Sequence, residues 1–180
     1  KMTHTDTPSP GPTGGDAADG REPALLHGRT ECLHALRQTL LQSLDDGSPD
    51  VWWLDPDFVD WPLDDGDVID ALTRWARPAG RSLRLIGGRF DVTAHRHPRF
   101  ARWRRDWSHR FEAWTPVDPA QIADLPTLLV CARVGVEILD RIQWRARLLS
   151  QPQQVKQARE HCEILRQYCE SAWPATTLGL

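Results

Sequence analysis

Thr127-Leu-Leu-Val-Cys-Ala-Arg-Val-Gly-Val-Glu-Ile-Leu-Asp-Arg-Ile-Gln-Trp-Arg-Ala-Arg-Leu148 is the stretch that decides the fold class. Residues 127–132 form one apolar run and residues 134–139 a second, with only one or two residues between them. A parallel pair needs a crossover of about a dozen residues or more, so these two strands have to run antiparallel. From 141 to 148 the chain then alternates strictly. Ile142, Trp144, Ala146 and Leu148 fall on one face, and Arg141, Gln143, Arg145 and Arg147 on the other, the signature of a half-buried strand.

Upstream of this stretch the pattern differs. Leu33, Leu36, Leu40 and Leu44 recur at helical spacing and predict a helix over 30–45 with Thr30 as its cap. Val51-Trp-Trp-Leu54 reads as a buried strand, and Val68, Ile69, Leu72, Trp75 and Ala76 mark a helix over 65–77 that Pro78-Ala79-Gly80 ends. Residues 83–86 form the next strand, closed by Gly87-Gly88. A helix over 98–109 enters through Pro98, residues 111–114 make another strand, and a last helix over 152–172 has Val155, Ala158, Cys162, Leu165, Cys169 and Ala172 as its apolar stripe. The expected class is α/β: a mixed sheet, parallel βα units followed by antiparallel strands, with helices packed on the sheet.

Composition sets the outer bounds. The 180 residues are 40% hydrophobic with a formal net charge of −3, ordinary for one globular domain. Residues 1–24 contain four Pro, four Gly and four Thr and little that could be buried, so this stretch is expected to be a disordered tail, with one domain over 25–180. No apolar run approaches the roughly 18 residues of a membrane span and no secretory signal pattern opens the sequence, which gives the expectation of a cytoplasmic protein without membrane contact. Cys32, Cys131, Cys162 and Cys169 form no CxxC pair and read as reduced core residues. Of the 22 basic residues all but Lys1 and Lys156 are arginine.

Charge is segregated along the chain. Residues 45–70 contain ten Asp and no Lys or Arg, whereas residues 74–110 contain eleven Arg against only Asp91 and Asp106. Either the two stretches neutralise one another, or the arginines form a positive surface for phosphate or nucleic acid. The helix over 98–109 sharpens the second reading. At about 100° per residue Phe100, Trp103 and Trp107 share one stripe, which makes the aromatics core residues and not stacking platforms for bases. Arg102, Arg105 and His109 fall on the opposite face. With Arg99, and with Arg145 and Arg147 of the alternating strand, they are the candidate anion-binding residues.

Asp55-Pro-Asp57 at the end of an apolar strand resembles the opening motif of haloacid-dehalogenase-type phosphatases, which implies a Mg²⁺-dependent phosphatase or hydrolase centred on Asp55 and Asp57. The family's further acids lie far downstream after a lysine, whereas Asp64, Asp65 and Asp67 follow closely with no lysine between; Asp64 or Asp65 serves equally well as a helix cap. His95-Arg-His97, with Asp91 and His109, offers metal-ligand types, but loop histidines account for them as well. Gly87-Gly88-Arg89 is too short for a phosphate-binding fingerprint and reads as a tight turn, and no serine or cysteine lies in a nucleophile elbow.

With the elements in order, residues 25–180 resemble a single phospholipase D-like α/β domain, closest to uncharacterised bacterial proteins of that superfamily. The likeness runs through Leu26-His-Gly-Arg-Thr-Glu31, His97-Pro-Arg-Phe-Ala-Arg-Trp-Arg-Arg105 and Trp173-Pro-Ala-Thr-Thr-Leu-Gly-Leu180. The superfamily's hallmark is His-x-Lys-x(4)-Asp, in which the histidine forms a phosphoenzyme and the lysine stabilises phosphate charge. Matching 127–132 to it puts Leu125, Thr127 and Ala132 at the three functional positions, and no other His-x-Lys occurs. The resemblance therefore implies the fold without its chemistry or any cofactor. The expected function is noncatalytic binding of an anionic ligand, nucleic acid or partner protein, and the remaining alternative is a purely structural protein that forms a homodimer.

Overall fold

The computed structural model describes residues 24–174. The tail expected over 1–24 thus lies outside the described residues except for Ala24, whose carbonyl accepts from the Leu148 N–H. Thirteen elements follow: β1 (Leu25–His27), α1 (Arg29–Asp45), β2 (Asp50–Leu54), α2 (Gly66–Ala76), β3 (Ser82–Ile86), α3 (Phe90–Arg96), α4 (Pro98–Asp106), β4 (Phe111–Pro116), β5 (Thr127–Val130), β6 (Gly135–Asp140), β7 (Arg145–Leu149), α5 (Pro152–Arg166) and β8 (Cys169–Ser171). They build one eight-stranded sheet in the order β1-β7-β6-β5-β2-β3-β4-β8.

Strands β2, β3 and β4 are parallel and every other pairing is antiparallel, so the mixed α/β class read from the sequence is the observed one. The sequence of β2 explains its central place. Val51 and Trp53 enter the core beneath α1, α2 and α4, while Trp52 and Leu54 enter a second core beneath α5. A strand with helices on both faces has no polar side, and burial of each such side chain is worth roughly 1.5–3 kcal/mol. Among the described residues the helices over one face are α1, α2 and α4, and the helix over the other is α5.

Four expectations need correction. The alternation over 141–148 does not make one strand, because Arg141 to Trp144 are the turn between β6 and β7. Asp140 Oδ1 accepts from the Ile142 and Gln143 N–H groups at 2.8 Å each, and this local turn chemistry outweighs the period-2 pattern. Ile142 is left 93% exposed. The last helix stops at Arg166, and Cys169 and Ala172 leave its stripe to join the sheet, where β8 pairs with the free edge of β4. Sheet hydrogen bonds at an open edge satisfy donors and acceptors that a longer exposed helix would not. The arginine-bearing helix ends at Asp106, three residues short of expectation, and Ser108–Arg110 form a 3₁₀ turn. Finally, Thr30 lies inside α1, whose N-cap is Gly28 at φ +88°.

Candidate polyanion-binding ridge and the carboxyl end of the sheet

Asp55 follows β2 at the carboxyl end of the parallel strands and is 1% exposed. Its Oδ1 accepts from the N–H groups of Asp57 at 2.9 Å and Phe58 at 2.8 Å, which folds the next residues into a tight turn. Its Oδ2 accepts from Trp61 Nε1 at 3.1 Å and from Thr127 Oγ1 at 2.7 Å. Arg141, from the β6–β7 turn, closes the arrangement: its guanidinium nitrogens lie 3.5 Å from Asp55, 3.6 Å from Asp57 and 3.7 Å from Asp60. Arg29 holds Asp60 from the other side at 2.9 Å. A buried carboxylate with this many donors is fully satisfied and acts as a structural hub for β2, β5 and the β6–β7 turn. The void beside it, bordered by Thr127, Arg141 and Trp144, measures about 10 Å³, room for one water at most.

The role of Arg141 was not legible beforehand, since in sequence it belongs to the alternating stretch and its acidic partners lie more than 80 residues away. The only available signal was the excess of aspartates in 45–70, which required counter-charges from somewhere. The structure supplies them largely from arginines outside 74–110: Arg29 and Arg141 as above, Arg37 on Asp65 and Asp67, and Arg159 on Asp50 at 2.7 Å. Asp64 does cap a helix, but α4 and not α2: its Oδ1 accepts from the Arg99 N–H at 2.8 Å and the Phe100 N–H at 3.0 Å.

Among the described residues that division leaves the guanidinium groups of α4 without an ion pair. Phe100 and Trp103 are buried, the Phe100 ring lying against those of Trp53, Phe111 and Trp173, and Trp107, just past the helix, is partly buried. Arg102 and Arg105 are exposed on the outer face, and neither forms an ion pair among the described residues. Arg99 is exposed too but tethered, its Nη1 donating to the Asp64 carbonyl at 3.2 Å. His109 lies in the 3₁₀ turn, exposed, with its ring 5.8 Å from that of Trp107. Arg104 departs from the simple picture: at 5% exposed it belongs to the buried side, stacked over Phe111 and Trp173, and burial lowers its pKa.

Arg145 and Arg147 do not join this ridge. Arg147 lines a cleft with Gln154, Gln157 and His161 of α5, on the opposite face of the sheet from α4. Arg147 pairs with Glu137 at 2.6 Å and Arg145 with Asp140 at 3.7 Å. The histidines also part company. His95 Nδ1 lies 2.8 Å from the Asp91 carbonyl in its own helix, whereas His97 is buried with its Nε2 2.8 Å from the Phe58 carbonyl. Burial is the main cause that holds the His97 pKa below its ordinary value.

No family model and no curated protein matches the chain. Solved structures do. Nuc from Salmonella typhimurium, a phospholipase D family member, superposes with a TM-score of 0.55 at 12% identity, over 85% of this chain and 100% of its own. The fold is phospholipase D-like. TrmBL2, an archaeal chromatin protein described as showing a novel mode of DNA binding, matches with a TM-score of 0.57 at 13% identity over 85% of this chain. The chain spans 54% of the length of TrmBL2. NucT from Helicobacter pylori matches at 0.52 and 7% identity over 84% of this chain and 99% of that one. In this fold Leu125 and Thr127 are 8% and 6% exposed at the entry to β5, and Ala132 is exposed in the β5–β6 turn.

Proposed function

We propose that this domain is a noncatalytic binding module that holds a polyanion, nucleic acid foremost, on the outer face of α4. One observation leads to this reading: Arg102 and Arg105 project from a helix whose other face is locked into the core, and neither has an acidic partner among the described residues. Planar guanidinium groups on a rigid helix suit phosphate oxygens, which they contact in bidentate fashion. Arg99 and His109 flank the pair and extend the positive surface along the helix and its following turn. The DNA binding described for TrmBL2, a protein of similar fold, supports nucleic acid over other polyanions.

Absence of catalysis is supported at the carboxyl end of the sheet. Leu125, Thr127 and Ala132 stand at the positions that the resemblance aligns with the histidine, lysine and aspartate of the phosphodiesterase motif, and none carries the imidazole, ammonium or carboxylate that the motif uses. Asp55 has its lone pairs engaged by four donors, which argues equally against the phosphatase alternative built on Asp55 and Asp57. A cytoplasmic location is in keeping with four unpaired cysteines, and among the described residues no helix is long and apolar enough to cross a membrane.

The test is salt-dependent binding to a fluorescent oligonucleotide. Each neutralised phosphate releases about 0.7–0.9 of a counterion, so Arg102→Ala with Arg105→Ala lowers the slope of log K against log salt by roughly one to two while leaving stability within about 1 kcal/mol. Equal affinity and an equal slope for the double variant and the parent overturn the proposal.

A further inference from the structure

Strand β8 is three residues long and pairs with Trp114, Thr115 and Pro116, so among the described residues no strand lies beside residues 111–113 on that edge of β4. A cavity of about 340 Å³ opens there, between the end of α4 and the chain that follows β8. Arg104 forms its buried wall and is only 5% exposed. An arginine so far from water is ordinarily paired with a carboxylate. Arg104 makes no ion pair among the described residues: its Nη2 donates to the Trp173 carbonyl, and its Nε is buried without a partner. The rings of Phe111 and Trp173, with centroids 5.2 and 4.9 Å from the guanidinium carbon, hold the group in place. Trp173 itself takes φ +49°, a left-handed conformation that is costly for a bulky side chain. Strained backbone of this kind collects at ligand clamps.

We infer that this cavity binds a small aromatic monocarboxylate, with the carboxylate on the Arg104 guanidinium and the ring against the aromatic walls. The partner that a planar guanidinium lacks here is a planar oxyanion, which it takes through parallel N–H···O bonds. Ser108 and Ser171 line the same cavity, and their hydroxyls are donors for the remaining lone pairs. Trp114 and Trp173, both partly exposed, supply faces on which a flat ring stacks. Charge selects a monoanion. Glu112 also borders the cavity, and although its carboxylate lies 3.5 Å from Arg84 Nε, Arg84 is shared with Glu163 at 3.2 Å, so a negative charge remains at the rim and opposes a phosphate dianion. The volume is near the low end of the roughly 300–1,000 Å³ of small-molecule sites and suits a compound of one or two rings. Arg104 lies on the inner side of α4 and the exposed Arg102 and Arg105 on the outer, so this site is separate from the polyanion ridge.

Fluorine NMR of 4-fluorobenzoate titrated with the full chain provides the test, with 4-fluorobenzamide as the uncharged isostere. The acid binds saturably with a dissociation constant of about 1 mM or below, and the amide binds at least about tenfold more weakly. Arg104→Met keeps the length of the side chain and removes the unpaired charge; it lowers affinity for the acid at least about tenfold, with circular dichroism to confirm that the variant is folded. 4-Fluorophenyl phosphate binds less tightly than the acid, and Glu112→Gln narrows that gap. Arg102→Ala with Arg105→Ala leaves the affinity for the acid within about twofold, which separates this site from the ridge. Weaker binding of the acid by the parent, an amide or a phosphate that binds as tightly as the acid, or a folded Arg104→Met variant with the affinity of the parent each overturns the inference. Loss of acid binding in the double arginine variant overturns it too, by placing the carboxylate on the ridge. The comparison of acid with amide uses the parent alone, so it decides the matter even where Arg104→Met fails to fold.

Discussion

Asp55→Asn separates a structural carboxylate from a catalytic one. The substitution keeps the size of the side chain and one carbonyl oxygen, which can still accept from the Asp57 and Phe58 N–H groups. The amide nitrogen that replaces Oδ2 then faces two former donors. The Thr127 hydroxyl can rotate to accept, but the indole Nε1 of Trp61 only donates, so one buried donor is left facing another. An unsatisfied buried donor costs about 1–3 kcal/mol, and the weaker hydrogen bonds of a neutral acceptor, together with the lost attraction to Arg141 3.5 Å away, add a comparable amount. The expected loss is about 2–4 kcal/mol, a fall in melting temperature of roughly 5–15 °C for a domain of this size. Urea titration followed by tryptophan fluorescence measures it directly. Asp57→Asn is the control, because Asp57 is partly exposed: it loses its ion pair with the half-exposed Arg141 at 3.6 Å but keeps an acceptor for the Val59 N–H at 3.1 Å, so about 1 kcal/mol or less is expected. If Asp55→Asn were as stable as the parent within about 0.5 kcal/mol, the hub reading would be wrong and a chemical role for this carboxylate would return.

Two further predictions follow from the same cores. Trp103 is 4% exposed and its Nε1 has no hydrogen-bond partner among the described residues, so Trp103→Ala loses packing alone and is expected to cost about 3–5 kcal/mol by chemical denaturation, with Trp103→Phe recovering much of it. His97 is held neutral in the folded protein because burial depresses its pKa, whereas in the unfolded chain it protonates near about 6.5. Its contribution is fully present above that pH and declines as pH falls toward the folded-state value, by at most about 1.4 kcal/mol per pH unit. Urea midpoints of the parent and of His97→Gln should therefore converge between pH 7 and pH 5, and parallel curves would refute the assignment.

Much of the fold was legible because its signals are local. The apolar run of β2, the helical spacing of Val68, Leu72 and Trp75, and the link at 132–134 too short for a crossover each depend on neighbours in the chain. The order of three parallel and several antiparallel strands followed from them. Reading failed where a local pattern met a competing interaction. Asp140 broke the alternation at 141–144 by capping a turn, and the unpaired edge of β4 drew Cys169–Ser171 out of an otherwise helical stripe. Arg104, four residues after Phe100, falls on the buried stripe by periodicity alone, but the rings of Phe111 and Trp173 that shelter its charge there come from other elements.

By itself the sequence determined the mixed α/β class, the buried side of α4 and the outward direction of Arg102 and Arg105, because side-chain periodicity along one helix or strand is a property of backbone geometry. Only the tertiary structure decided which charges meet. Arg141 reaches Asp55, Asp57 and Asp60 across the carboxyl end of the sheet, Arg145 and Arg147 lie on the face opposite the ridge and pair with Asp140 and Glu137, and Asp64 caps a helix that begins 34 residues later in the chain. Ion pairing depends on distances of a few ångström between residues brought together from anywhere in the chain, and composition records only that the charges exist.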